Sequence, residues 1–137
     1  MKANLHLLIV DDDVDDRELF IEAVREVDEE IQCSTAKDGQ QALEILKNES
    51  IKLPDFIFLD LRMPRFNGKK CLLEIKNDDR LKNIPVIIYS TSREVEESIE
   101  MKGMGAIHFI TKPSRPEEIY YLVSVVLEEQ WNDMMHS

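Results

Sequence analysis

The sequence is short of several things, and each shortage excludes a class of protein. It has no run near the roughly 18 to 20 unbroken apolar residues of a membrane-spanning helix. Its first residues also lack the charged, apolar and small-residue succession of a secretory leader. A soluble, cytoplasmic protein with no membrane partner is expected. Cysteine is scarce: Cys33 and Cys71 lie far apart, show no CxxC spacing and have no nearby histidine partner, so reduced thiols are expected rather than a metal site. Positive charge is in deficit, with 17 Lys and Arg against 28 Asp and Glu and a net charge of -11. Neutralising phosphates needs a basic patch that this composition hardly supplies, which argues against nucleic acid as a partner. The same balance favours solubility and metal cations. There is no internal repeat, low-complexity tract or Gly/Ser linker. The 137 residues, 43% of them apolar, therefore read as one domain with enough apolar content for a core.

What is present is an alternation. Short apolar runs at Leu5 to Val10, Ile31 to Thr35, Phe56 to Leu59, Ile84 to Tyr89 and Ala106 to Ile110 predict strands. Between them, helix-period segments run over Val14 to Val27, Gln40 to Lys47, Gly68 to Asn77, Glu94 to Met101 and Pro116 to Trp131. Several are entered through a residue suited to an N-cap. Strict βα alternation with short connections predicts a parallel sheet with helices on both faces.

The stretch DFIFLDLRMPRFNG, Asp55 to Gly68, breaks the apolar pattern abruptly. A run fit for the middle of a sheet ends on a carboxylate, Asp60, and Pro64 and Gly68 then turn the chain. Asp60 is expected to be displayed rather than buried. In an open parallel sheet the ligand crevice lies outside the carboxyl ends of the strands. The residues just after each predicted strand are Asp11, Asp12 and Asp13, then Asp60, then Ser90 and Thr91, then Thr111, Lys112 and Pro113. One edge thus collects acids, hydroxyls and a lysine. Two unit charges about 4 Å apart at an effective dielectric near 20 repel by roughly 4 kcal/mol, so the acids call for a cation. A hard divalent ion such as Mg²⁺, which takes oxygen ligands and commonly a phosphate oxygen, fits best. Lysine and a hydroxyl remain to hold other phosphoryl oxygens.

VDDD at Val10 to Asp13, LDLRMP at Leu59 to Pro64 with Gly68 beyond, YSTS at Tyr89 to Ser92 and TKP at Thr111 to Pro113 together resemble the receiver domain of two-component response regulators. The resemblance covers nearly the whole chain. It implies a single receiver domain over residues 1–137 with no output domain, and an α/β fold: a doubly wound five-stranded parallel sheet of order 2-1-3-4-5, a flavodoxin-like three-layer sandwich. It implies that Asp60 accepts a phosphoryl group from a histidine kinase, and that Mg²⁺ is held by Asp11, Asp12, Asp60 and the backbone carbonyl of Arg62. Ser90 and Lys112 would grip the phosphoryl oxygens, Phe109 would change rotamer on activation, and the Lys112–Pro113 bond would be cis. A carboxylate with a reference pKa of about 4 needs no base to be nucleophilic at neutral pH.

Each residue also has a plainer role open to it. Asp11 to Asp13 fit helix N-caps or first-turn acids, as do Asp15, Asp16 and Glu18. Lys112 fits a surface lysine, Ser90 a cap and Phe109 a core ring, while His6, His108 and His136 form no cluster. Arg62, Arg65, Lys69 and Lys70 read as a solvated basic rim. Against the commonest family pattern, Arg62 replaces Asn, Asn67 replaces Asp, and Ser92 lies two beyond the switch hydroxyl, which bears on the lifetime of the phosphorylated form. The function expected is a stand-alone regulator served by a sensor histidine kinase or phosphotransfer protein. It would be no enzyme beyond its own phosphorylation and dephosphorylation. The alternatives are a phosphorelay intermediate or a magnesium-dependent phosphohydrolase, the latter weakened by Arg62 where a second acid is wanted. On the last helix, Tyr120, Leu127 and Trp131 cluster beside the core stripe of Ile119, Leu122, Val123 and Val126, a candidate homodimer or partner face.

Overall fold

The computed structural model describes residues 5–63 and 67–136, with side chains to residue 128. The apolar runs become β1 (His6–Val10), β2 (Gln32–Ala36), β3 (Phe56–Leu59), β4 (Val86–Ser90) and β5 (His108–Thr111). The helices are α1 (Val14–Val27), α2 (Gly39–Lys47), α3 (Gly68–Lys76), α4 (Val95–Gly103) and α5 (Pro116–His136). All strand pairs are parallel, in the order β2-β1-β3-β4-β5. This is the doubly wound sheet expected.

The central strands are buried at every position and apolar at nearly all, His6 and Ser90 being the polar ends, because both faces are covered. Leu7, Ile9, Phe56, Phe58, Ile87 and Tyr89 point to one side and pack with Phe20 and Val24 of α1 and Ile119 and Val123 of α5. Leu8, Val10, Ile57, Leu59, Val86 and Ile88 point to the other and meet Leu46 of α2, Leu72 and Ile75 of α3 and Met101 of α4. Each fully buried side chain of this size stabilises the fold by about 1.5–3 kcal/mol. Three helices start on a side-chain cap: Asp13 accepts from the N–H groups of Asp15 and Asp16, Asp38 from Gln41, and Asn67 from Lys70. A fourth, α4, has no such bond at Glu94.

Two expectations are corrected at this level. Leu127 is 2% exposed within the α1/α5 core, and Tyr120 is half-buried against the same cluster. The flank that they define widens the buried arc of α5 instead of forming a partner face, because α1 lies against it. Trp131 is outside the residues whose side chains are described. The Lys112–Pro113 peptide is trans, as are all peptide bonds of the described residues, and Lys112 reaches the strand ends regardless.

Candidate functional site

The parallel register brings the strand ends level: Val10 pairs with Leu59, Leu59 with Ile88, and Ser90 with Thr111. The residues that follow are therefore neighbours in space. The Asp11 N–H donates to the Ala36 carbonyl and the Asp60 N–H to the Val10 carbonyl, extending the ladder by one residue at each acid. Gly68 closes the loop after β3: its N–H donates to the Leu61 carbonyl at 3.1 Å. A Cβ at Gly68 would collide with the Asp60 carbonyl oxygen and lie 2.8 Å from the Leu61 Cα. The backbone approach that places Asp60 thus demands glycine.

Asp11, Asp12 and Asp60 each offer a carboxylate oxygen within 4.8 Å of the others. Lys112 closes the group from the position just after β5. Its Nζ lies 2.6 Å from Asp11 Oδ2, 2.9 Å from Asp16 Oδ2 and 3.6 Å from Asp60 Oδ2. Tyr89 supports it from below, with Nζ 5.8 Å from the ring centroid. Tyr89 in turn packs edge-on against Phe20. Ser90 is fully buried at the end of β4, and its Oγ accepts from the Ser92 N–H at 3.3 Å. Phe109 is half-buried on β5 and packs with the core on the α4 side.

Asp60 is not displayed: it is 6% exposed and Asp11 2%, whereas Asp12 is open to solvent. The turn after β3 does leave the sheet, but Asp11 and Lys112, from the segments after β1 and β5, lie against Asp60 and cover it. Burial, opposed by Lys112 and reinforced by the Asp11 charge, pushes the Asp60 carboxyl up to about 6. Burial also raises Asp11, against its bonds from Lys112 and the Asp13 N–H. Burial alone would lower Lys112, but its bonds to Asp11 and Asp16 and the Asp60 charge hold the ammonium well above the usual lysine range. Three carboxylates, Asp11, Asp16 and Asp60, lie against one ammonium, and Asp12 joins Asp11 and Asp60 on the open side. The donor set is all hard oxygen, so the residues fit a divalent cation of the Mg²⁺ kind.

Some of these partners escaped the sequence reading. Asp16, expected as a first-turn acid of α1, binds Lys112 across the end of the sheet. Arg17 braces the acidic turn by donating from Nη1 to the Asp11 carbonyl at 2.6 Å. Thr111 Oγ1 donates to the Ser92 carbonyl at 2.8 Å. Asp13 caps α1 and is not part of the three-acid group. The basic rim is not merely solvated: Arg62 faces Glu97 at 3.8 Å and Lys69 faces Glu100 at 3.2 Å. Lys70 is exposed, and Arg65 lies outside the described residues. Beyond Lys112 a cavity of about 500 Å³ continues along α5, lined by Arg93, Thr111, Glu118, Tyr121 and Leu122.

The model of the response regulator receiver domain matches residues 7–124. This chain belongs to that family. Receiver domains similar to it include part of the phosphate regulon transcriptional regulatory protein PhoB of Pseudomonas aeruginosa, 31% identical over 88% of this chain and 51% of the relative. The phosphorylated cyanobacterial phytochrome response regulator RcpA has a similar structure, at 29% identity and a TM-score of 0.85, covering 92% of this chain and 93% of that one. The Mn²⁺-bound response regulator Rcp1 follows the same fold at 26% identity and a TM-score of 0.81, covering 89% and 91%. The chain spans about half the length of the PhoB relative and about a third of protein-glutamate methylesterases that it also matches, 32% and 30%. Among the described residues no helix is long and apolar enough to cross a membrane.

Proposed function

We propose that this receiver domain acts as a stand-alone response regulator that accepts a phosphoryl group on Asp60. The donor is the phosphohistidine of a sensor histidine kinase or phosphotransfer protein. What carries the reading is the cluster of Asp11, Asp12 and Asp60 beside a buried ammonium that pairs with Asp11, Asp16 and Asp60, an arrangement suited to a cation and an anionic group together. An Asp60 oxygen attacks phosphorus in line; the O–P bond forms as the donor's N–P bond breaks, and the imidazole leaves with a proton. Asp11, Asp12, Asp60 and the Arg62 carbonyl hold Mg²⁺, which when bound supplies the positive charge that offsets the carboxylates and the phosphoryl oxygens. Lys112 gives a charge-assisted hydrogen bond to one phosphoryl oxygen and Ser90 Oγ–H a second. Phe109, next to α4, passes the change to the surface. There the exposed apolar side chains are Val95 and Ile99 of α4 and Tyr121 and Val125 of α5, and these are the residues a partner or second copy would cover. The domain carries out no chemistry beyond its own phosphorylation and dephosphorylation.

Incubation with acetyl phosphate and Mg²⁺ followed by intact mass tests the proposal. A single slowly lost adduct is expected, absent without Mg²⁺ and in Asp60→Asn, and formed more slowly in Lys112→Ala. Sustained phosphate release without an adduct would identify a phosphohydrolase, and an unmodified wild type would remove the assignment.

A further inference from the structure

Arg62 stands two residues beyond Asp60, with its N–H 3.4 Å from Asp60 Oδ1, so its side chain starts beside the acceptor carboxylate. The guanidinium turns outward, where Nη2 lies 3.8 Å from Glu97 Oε1 on α4. That is an ion pair but too long for a hydrogen bond. Glu97 Oε1 is moreover a buried side-chain oxygen with no hydrogen-bond partner among the described residues. A buried acceptor left without a donor is costly, so Glu97 is imperfectly satisfied by this pair, and opening it so that Glu97 meets water breaks no hydrogen bond. One turn further along the same face of α4, Glu100 pairs with Lys69 of α3. These contacts matter more to α4 than they would elsewhere, because Met101 is its one buried residue and its N-terminus has no side-chain cap.

We propose that the Arg62 guanidinium is shared between two anions, Glu97 in the unmodified protein and the phosphoryl group on Asp60 in the modified one, so that filling the site releases the first turn of α4. The inference rests on the phosphoacceptor reading and adds a regulatory residue to it. A phosphoryl group presents three oxygens to a planar guanidinium that can bind two at once. It is a stronger competitor than a carboxylate held at 3.8 Å. Arg62 is mostly exposed and its arm swings without disturbing the core. The exchange is reciprocal: phosphoryl binding weakens the Arg62–Glu97 pair by the same factor by which the pair weakens phosphoryl binding. Arg62 is a positioning residue for α4 as well as a ligand of the phosphoryl group.

The test is a double-mutant cycle read by fluorine NMR titration with beryllofluoride, a phosphoryl mimic, in the presence of Mg²⁺. Glu97→Gln is expected to tighten binding by about two- to five-fold, the scale of an exposed ion pair. Arg62→Gln is expected to weaken it, and adding Glu97→Gln to that variant to change nothing. Arg62→Lys, which keeps the charge, restores part of the loss. Amide hydrogen exchange supplies a readout without ligand: the first turn of α4 is expected to exchange faster in Glu97→Gln than in wild type. An equal gain from Glu97→Gln with and without Arg62 would mean general electrostatics and would overturn the exchange of partners. Wild type that fails to bind the mimic overturns this proposal and the phosphoacceptor reading together, whereas binding without coupling overturns this one alone.

Discussion

Helices α1 and α4 both follow a strand end that contributes to the site, yet they are attached in opposite ways. The start of α1 is fixed by Asp13, which accepts two backbone N–H bonds, and by Arg17, which grips the Asp11 carbonyl. Its body buries Phe20, Ala23 and Val24. In contrast, α4 has no side-chain cap and buries only Met101, leaving Val95 and Ile99 in water at 71% and 66% exposure. The difference separates two duties. Crowded carboxylates repel one another and stay in place only if the backbone beneath them is held firmly, so the acids are rooted on the α1 side. A surface that must change on signalling has to be cheap to move, and elements with few buried contacts are the ones that open locally at low cost.

The comparison breaks most visibly at Phe20. Its ring touches Phe58 at 4.7 Å and Tyr89 at 5.3 Å between centroids, and Tyr89 lies beneath Lys112. Phe20→Ala is expected to cost about 3–5 kcal/mol in urea unfolding. Ile99→Ala on α4 should stay within about 0.5 kcal/mol. Comparable losses at the two positions would erase the distinction.

A smaller effect concerns the charge that the rigid half restrains. The folded-state value for Asp60 is raised to about 6 from 3.8, so the folded protein binds the proton more tightly than the unfolded chain. Stability from this group is therefore greatest at low pH and is lost as pH rises through about 4 to 6. Asp60→Asn removes the penalty. In the presence of a chelator the variant should be more stable than wild type by about 2–3 kcal/mol at pH 7, with the gain vanishing near pH 4. Melts across this range decide it, and a gain independent of pH would contradict the assigned cause. Mg²⁺ should narrow the difference by relieving the same repulsion in wild type.

The smallest expected effect lies at the helix starts. Asp13→Ala removes a cap with two hydrogen bonds and should cost about 1 kcal/mol. Glu94→Ala, at the uncapped start of α4, should be nearly silent. Thermal melts of the pair measure the asymmetry directly, and equal shifts would show that capping does not distinguish the two helices.

Much of this could be read in advance. The bounds of α1 and β3 match the expected ones residue for residue, because Asp13 and the Asp60 break mark them chemically. Other strands begin or end one or two residues away, since pairing decides which residues of an apolar run join the ladder. Leu5, for instance, is buried and its carbonyl accepts from the Gln32 N–H, yet it precedes β1. Asp11, Asp12, Asp60 and Lys112 were marked by position at strand ends, and the structure brings those four together. Asp16 and Glu97 were not marked, because an acid in the first turn of a helix satisfies the helix dipole whether or not a cation lies across from it. Leu127 was misplaced because helical periodicity gives direction around an axis but not how far a neighbouring helix wraps it.

The sequence by itself determined the alternation of strands and helices, the apolar continuity that forces a sheet covered on both faces, and the identities of the groups at the strand ends. These are local properties: hydrophobic period, cap chemistry and a turn that only Gly68 permits. The tertiary structure alone decided that Asp60 is buried, that one ammonium serves Asp11, Asp16 and Asp60, and that Arg62 faces Glu97. Each depends on the distance between residues far apart in the chain. Burial and charge pairing fall off over a few ångströms, a scale set by packing and not by any single segment.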